Sequence, residues 1–339
     1  DEIELHLHSI LQREVLPKLI ALFPKVQFII TTHSPLFLLG MEEQFGTEGF
    51  EIYEMPQGLK INAERFSEFQ KAYTYLTNTQ QYEQAIYDAV SNKQDKMLIV
   101  TEGTTDWKHM KAAYNKLSHM PEYAELFTGF DFEFLEYEPN NSSQSTKVKL
   151  EMGNGQLVSL CENMAKIMQK RKMVFIADRD HNDTNKKLGG KDGNQFKKWG
   201  NNVYSFILPI PDFRTATPGI CIEHLYSDEV IKTEIETQNP NVKRRLYMGN
   251  EFDRRGYAPS LGVICEKKAV CGPEKINIIE GSTGERVTLL DDENINMALS
   301  KMTFANLMLE GKTPFDEVDF KPFVPIFDIL KKIYLDSDI

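Results

Sequence analysis

Two short runs of uninterrupted apolar residues, Met97-Leu98-Ile99-Val100 and Met173-Val174-Phe175-Ile176, each lead straight into acidic residues. A continuous apolar run of this length suits a strand covered on both faces, as in a parallel sheet. The first ends in Thr101-Glu102-Gly103 and is followed by helical spacing from Thr104 to Leu117; the second ends in Ala177-Asp178-Arg179-Asp180. Further strands are expected at 130–137 and 203–208, with an amphipathic helix at 156–169 between them. Strands alternating with helices predict a parallel α/β sheet, whose ligands gather beyond the carboxyl ends of the strands. The carboxylates therefore stand where chemistry is expected.

The chain before this unit reads as a separate α/β piece. Apolar residues recur at helical spacing from Leu11 to Phe23, Pro24 ends that helix, and Val26 to Ile30 reads as a buried strand. Another strand is expected at 50–54, then a polar helical stretch to about Ser91, with a boundary at Asn92-Lys93-Gln94-Asp95. Residues 140–145 and 183–194 read as exposed loops, and the pattern after Ser227 as mostly helical, with a helix at 323–334.

Bulk composition narrows the function classes. With 41% hydrophobic and 26% charged residues this is an ordinary globular chain, long enough at 339 residues for two or three domains. No apolar run reaches the length of a membrane span, so no membrane partner is expected and a cytoplasmic protein is. The opening Asp1-Glu2-Ile3-Glu4 lacks a methionine, as in a fragment of something longer. A net charge of -11 argues against binding nucleic acid by bulk electrostatics, although divalent ions at a carboxylate cluster reverse the sign locally. Cys161, Cys221, Cys265 and Cys271 lack metal-type spacing and are expected to be reduced and mostly buried.

Two constellations carry chemistry. In the first, the acidic pair Asp1-Glu2 precedes, by some thirty residues, a strand-like run that ends in Thr31-Thr32-His33-Ser34-Pro35. In the second, Glu102 sits on a strand-to-helix turn beside a glycine, Asp106 follows four residues later, and Asp178 and Asp180 face the same way on an extended backbone. Either acidic motif alone would suit a capping acid or the start of a polar loop. Both together, in order, at the ends of two strands, suit an oxygen-ligand site for Mg²⁺ or Mn²⁺. Two such ions, about 3.5–4 Å apart, can clamp the attacking and leaving oxygens of a phosphodiester.

The first constellation resembles the ABC-type ATPases of the structural-maintenance and RecF-like group. By that resemblance Asp1 is the Walker B aspartate, Glu2 the base that orients water, residues 4–8 the D-loop and His33 the switch histidine. No GxxxxGK[ST] phosphate loop occurs in the chain, so ATP would serve only where the rest of the ATPase is present. The two constellations in this order resemble the overcoming-lysogenization-defect (OLD) nucleases. The resemblance implies the C-terminal part of an ABC-type ATPase domain at 1–92, a Toprim (Rossmann-like, parallel-sheet) nuclease core at 93–230, and a mostly helical Toprim-associated region at 231–339. It makes Glu102, Asp106, Asp178, Asp180 and Glu223 (in Cys221-Ile222-Glu223-His224-Leu225) the metal ligands. Lys301, opening a helix in Leu299-Ser300-Lys301-Met302, becomes the lysine that stabilises charge on the phosphate. It further implies DNA as substrate, pairing of chains through the ATPase domain, and a role in anti-phage defence like that of Gabija and retron effectors, with a partner protein or nucleic acid of such a system.

Lys186, Lys187, Lys191, Lys197 and Lys198 flank the loop next to the acids and are the candidates for phosphate-backbone contacts. His181 and His109 are expected to be exposed, and Lys170-Arg171-Lys172 to be a solvated face. Two rival readings remain: another Toprim enzyme of the primase or topoisomerase kind, and a non-catalytic assembly subunit with a decayed ATPase. Purified residues 1–339 are expected to turn over no ATP above background. Hydrolysis that is lost in Glu2→Gln would reveal a nucleotide site of another kind.

Overall fold

A computed structural model describes residues 3, 7–8, 11–46, 49–56, 58–61, 96–138, 148–149, 152–191, 193–236, 242–282 and 284–336. The chain divides into two compact units, Asp1–Gln84 and Ala85–Ile339.

In the first unit a helical turn at Leu11–Val15 runs into α1 (Leu16–Ala21), with Pro17 in the first turn, where a missing N–H costs nothing. The Thr-His-Ser-Pro segment starts α2 (Pro35–Phe45). Ser34 Oγ accepts from the Phe37 N–H at 3.2 Å, and Pro35 supplies the pre-set φ of the first helical residue. The strand expected at 26–30 is extended but unpaired among the described residues, and Ile29 is 89% exposed. An apolar run becomes a strand only beside a ladder that takes up its N–H and C=O groups. The strand expected at 50–54 is present as β1 (Ile52–Glu54), antiparallel to β2 (Leu59–Ile61). The helical stretch expected to 91 lies, from residue 62, outside the described residues.

The second unit holds the parallel sheet. Its elements are β3 (Met97–Thr101), α3 (Asp106–Leu117), β4 (Phe132–Phe134), α4 (Asn154–Met164), β5 (Met173–Ala177), α5 (Asn182–Leu188), β6 (Lys197–Gly200) and β7 (Val203–Ile207). The order across the sheet is β4-β3-β5-β7-β6, parallel except for the edge strand β6. All five residues of β3 and of β5 are buried, the pattern of strands covered on both faces. Ile99, Val174, Ile176 and Phe206 point into one core, filled by Phe304, Phe323, Phe327 and Leu330. Those last four come from α6 (Lys301–Glu310) and from the segment running into α7 (Val324–Leu335). The alternate residues face the other way, where α4 and α5 pack on β5 and β7.

Beyond 231 the helical expectation fails for most of the region. Residues 257–296 form a four-stranded antiparallel sheet, β8 (Tyr257–Ala258), β9 (Val263–Cys265), β10 (Val287–Leu289) and β11 (Asp292–Asn296), with its own core around Phe252, Cys265 and Val287. The two- and three-residue strands among them are too short to show a period of two, and the β9–β10 pairing that joins the two hairpins leaves no mark on the sequence. The segment expected as a loop at 183–194 begins as α5, because His181 caps it through Thr184 and because Thr184 and Leu188 bury one face. The other loop, at 140–145, lies outside the described residues. All four cysteines are free and buried.

In the basic run at 170–172 Lys170 is exposed, as expected of a solvated face, but Arg171 and Lys172 are anchors. Arg171 is buried and paired with Glu133. The Lys172 ammonium donates to the carbonyl oxygens of Ile333 and Tyr334, both at 2.9 Å, and of Asp336, so it closes the C-terminal end of α7. Lys172→Met is expected to cost about 1.5–3 kcal/mol, the range for hydrogen bonds to a charged group. The check is urea unfolding together with limited proteolysis, which should release the C-terminal helix first.

Candidate active site

The register of the sheet sets the acids side by side. Thr101 pairs with Ile176 across β3 and β5, so Glu102 and Asp178 leave the sheet as neighbours at its carboxyl end. Glu102 Oε2 accepts the Asp178 backbone N–H at 3.3 Å. The amide of Asn154, at the start of α4, lies against the same carboxylate; turned to donate, its nitrogen is 2.6 Å from Oε2. Burial, then Asp106 and Asp180, push Glu102 up to about 7.

Asp106 opens α3 and is buried. Its carboxylate accepts from the Gly103 N–H at 2.6 Å and from Thr105 Oγ1 at 3.2 Å, which folds the turn after β3 into a closed loop. Burial and Glu223 raise it to about 6. Asp178 is raised well above the carboxylate range by burial, by Asp106, by Glu102 and by Glu223. Arg179 points away, its Nε donating to the Leu208 carbonyl at 2.7 Å, and Asp180 emerges on the exposed side of the site.

Glu223 and Lys301 come from far along the chain to the same place. Glu223 is fully buried in a turn at Ile222–Leu225; its Oε2 takes the Lys301 ammonium at 3.1 Å, while Oε1 has no hydrogen-bond partner among the described residues. Burial alone would raise Glu223, but Lys301 and His109 outweigh it and hold it at about 2. Lys301 is the first residue of α6, its helix capped by Ser300. Its stem lines a cleft while its ammonium sits among Glu223, Asp178 and Cys221, the last with Sγ at 3.7 Å. Those partners raise its pKa well above the lysine range, although burial acts the other way.

The second unit thus gathers Glu102, Asp106, Asp178, Glu223 and Lys301, with Asp180 at the rim. The donors are all oxygen, the negative charge exceeds the one ammonium, and a buried carboxylate oxygen lacks a partner. That set fits a hard divalent cation. It is not a closed cage, since no three His, Cys, Asp or Glu side chains among the described residues already surround a common point. An ion would draw the carboxylates together.

Sequence reasoning missed Asn154, which sits between two glycines with no motif to flag it. It also misread His109. That residue is fully buried rather than exposed, bonded through Nδ1 to the Tyr226 hydroxyl at 2.9 Å, and pushed down to about 4 by burial, hence neutral. The helical spacing of α3 placed it on an inward face, a signal that was available. His181 is exposed as expected but serves as a helix cap.

Of the basic candidates, Lys186 and Lys187 form the last turn of α5, and Lys191, Lys197 and Lys198 line an open groove of about 830 Å³ at the edge of the sheet. Lys198 is paired with Asp336 at 2.5 Å, and Lys197 lies over the Trp199 ring at 3.3 Å while donating to the Lys187 carbonyl. In the first unit His33 is exposed, just ahead of the cap of α2; Asp1 and Glu2 lie outside the described residues. Of the basic residues at 243–245 and 254–255, Arg245 pairs with Glu251 at 2.7 Å, Lys243 with Glu234 and Arg254 with Glu274.

Gly103 has no room for a side chain, since a Cβ there would stand 2.7 Å from Asp106 Oδ1. Gly103→Ala is expected to destabilise the protein by about 1–3 kcal/mol, the usual cost of overpacking, and to do so far less in an Asp106→Ala background. Additive losses in this double-mutant cycle would show that the carboxylate does not fill that space.

No protein-family model matches the chain, and no solved structure matches it. Over 151 residues it is 26% identical to the Septu protein PtuA of Bacillus mycoides (strain KBAB4), a stretch that makes up 42% of this chain and 21% of that protein. The likeness therefore spans about a fifth of that relative's length.

Proposed function

We propose that this chain hydrolyses phosphodiester bonds in DNA at a divalent-metal centre of the Toprim type, as an OLD-like nuclease of anti-phage defence. The observation that carries the reading is the convergence of Glu102, Asp106, Asp178 and Glu223 around one ammonium at the carboxyl end of a parallel sheet, with Asp180 opening onto solvent. The resemblance to the OLD nucleases and the similarity to the Septu protein both support the defence setting. In this reading residues 1–92 belong to an ATPase domain that pairs the chains, with Asp1, Glu2 and His33 turned to its nucleotide. Residues 93–230 are the nuclease core.

Glu102, Asp178 and Asp180 would hold Mg²⁺ or Mn²⁺, with Asp106 and Glu223 completing the set. Bound there, such ions stabilise the charge that develops on the phosphate and make water a better nucleophile. Asn154 and the Asp178 N–H orient Glu102, since both donate to its carboxylate. Lys301, held at Glu223, supplies a donor for the anionic phosphate, a role an ammonium can take because it has no lone pair to lose to a metal. Lys186, Lys187 and Lys191, on the strand-edge side of the site, would take backbone phosphates without reading sequence.

Asp178→Asn should keep the fold and lose cleavage of plasmid DNA in Mg²⁺ or Mn²⁺; cleavage at the wild-type rate would overturn the assignment. Lys301→Met gives a second, independent check. It leaves Glu223 buried without its cation, so the variant should melt earlier than wild type in EDTA and recover when Mn²⁺ is added. It should also cut ten- to a hundredfold more slowly, roughly 1.4–2.7 kcal/mol of transition-state stabilisation.

A further inference from the structure

Of the site residues Asp180 and Lys301 line a cleft of about 600 Å³, which they share with residues of the region beyond 242. Glu274, Lys275, Glu280 and Glu285 bring further charge to it. Most of that charge is already matched. Glu274 pairs with Arg254, Glu285 with Lys267, Lys301 with Glu223, and Glu280 accepts from Ser282 and from the Lys301 backbone N–H. Lys275 is the exception. Among the described residues its ammonium has no carboxylate at ion-pair distance.

Its root, by contrast, is fixed. The Lys275 N–H donates to the Gly272 carbonyl at 2.9 Å, and its Cβ packs so closely on Gly249 that a Cβ there would lie 2.7 Å away. The next residue ties this segment to the turn that carries Glu223. The Ile276 carbonyl oxygen lies 2.7 Å from His224 Nε2, and His224 directly follows Glu223 in the chain. A cation with an anchored stem, in no ion pair among the described residues, thus lines the same cleft as Asp180 and Lys301, on a segment hydrogen-bonded to the turn that carries Glu223.

We propose that Lys275 grips a phosphate of the substrate strand beside the one being cut, so that the cleft takes a polynucleotide rather than a small phosphate ester. This rests on the nuclease reading above. A single charge at Lys275 can engage only a substrate that carries a second phosphate, which sets its expected effect apart from that of Lys301 at the reacting group.

The test compares a short oligonucleotide with bis(p-nitrophenyl) phosphate, a diester that has no second phosphate, both in Mn²⁺. Lys275→Glu should raise KM for the oligonucleotide about tenfold or more and Lys275→Gln less, with kcat and the small-diester kinetics unchanged in both. The salt dependence of oligonucleotide binding by Lys275→Gln should lose about one unit of slope. If wild type cuts both substrates and the variants match it on the oligonucleotide, this inference falls and the nuclease reading stands. If the variants slow both substrates in parallel, Lys275 acts on the acids themselves and the inference is again wrong. If wild type cuts neither substrate, the nuclease reading fails and takes the inference with it.

Discussion

Four carboxylates that share a largely buried space repel one another, and in this protein the Lys301 ammonium is set among them. Burial raises the pKa of Glu102, Asp106 and Asp178, and the neighbouring carboxylates raise each of them further. Only Glu223, in direct contact with Lys301, is held down. The rest of the second unit is arranged to bring these groups together. The parallel register puts Glu102 next to Asp178, and the first turn of α3 returns Asp106. The packing of α6 on α3 then delivers Lys301 from 78 residues beyond its partner Glu223.

That delivery depends on buried polar contacts between helices. Lys108 on α3 is buried, paired with Glu138 at 2.8 Å and bonded to Asn306 of α6 at 2.7 Å. One turn of α3 thus holds Asp106 in the site and fixes α6 behind it. A buried pair of this kind gains little net stability after desolvation, but breaking it leaves a charge stranded. Its use here is positional. Trp107 adds a second tie, its indole N–H donating to the Tyr137 carbonyl, while the Tyr137 hydroxyl bonds the carbonyl of Thr101 at the end of β3.

The proposed reading asks an acidic chain to take a polyanionic substrate. In that reading divalent ions at the acids would offset part of the net charge of -11, and Lys191 and Lys198 stand exposed at the sheet edge. Most of the remaining basic residues that look available in the sequence are consumed internally. Arg171 and Lys172 hold a strand and a helix end, and Arg245 stacks on Tyr247 while pairing with Glu251. A basic residue in the sequence is therefore a weak pointer to a nucleic-acid surface until its partners are known.

The sequence by itself determined the parallel-sheet core and the order of its elements. Continuous apolar runs bounded by charge suit strands buried on both faces, and strand ends carry Glu102, Asp178 and Asp180 by simple adjacency. Lys301 at a helix start was legible for the same local reason. Tertiary structure alone decided the rest. Whether Val26 to Ile30 pairs as a strand depends on a neighbour, and no residue within it encodes that neighbour. The short strands between 257 and 296 form one sheet only because β9 pairs with β10, more than twenty residues away. Asn154 meets Glu102 because α4 starts beside the end of β3, and Glu223 meets Lys301 because two distant turns pack on one core. Adjacency along a chain is written in the sequence; adjacency across the fold is settled by which surfaces bury one another.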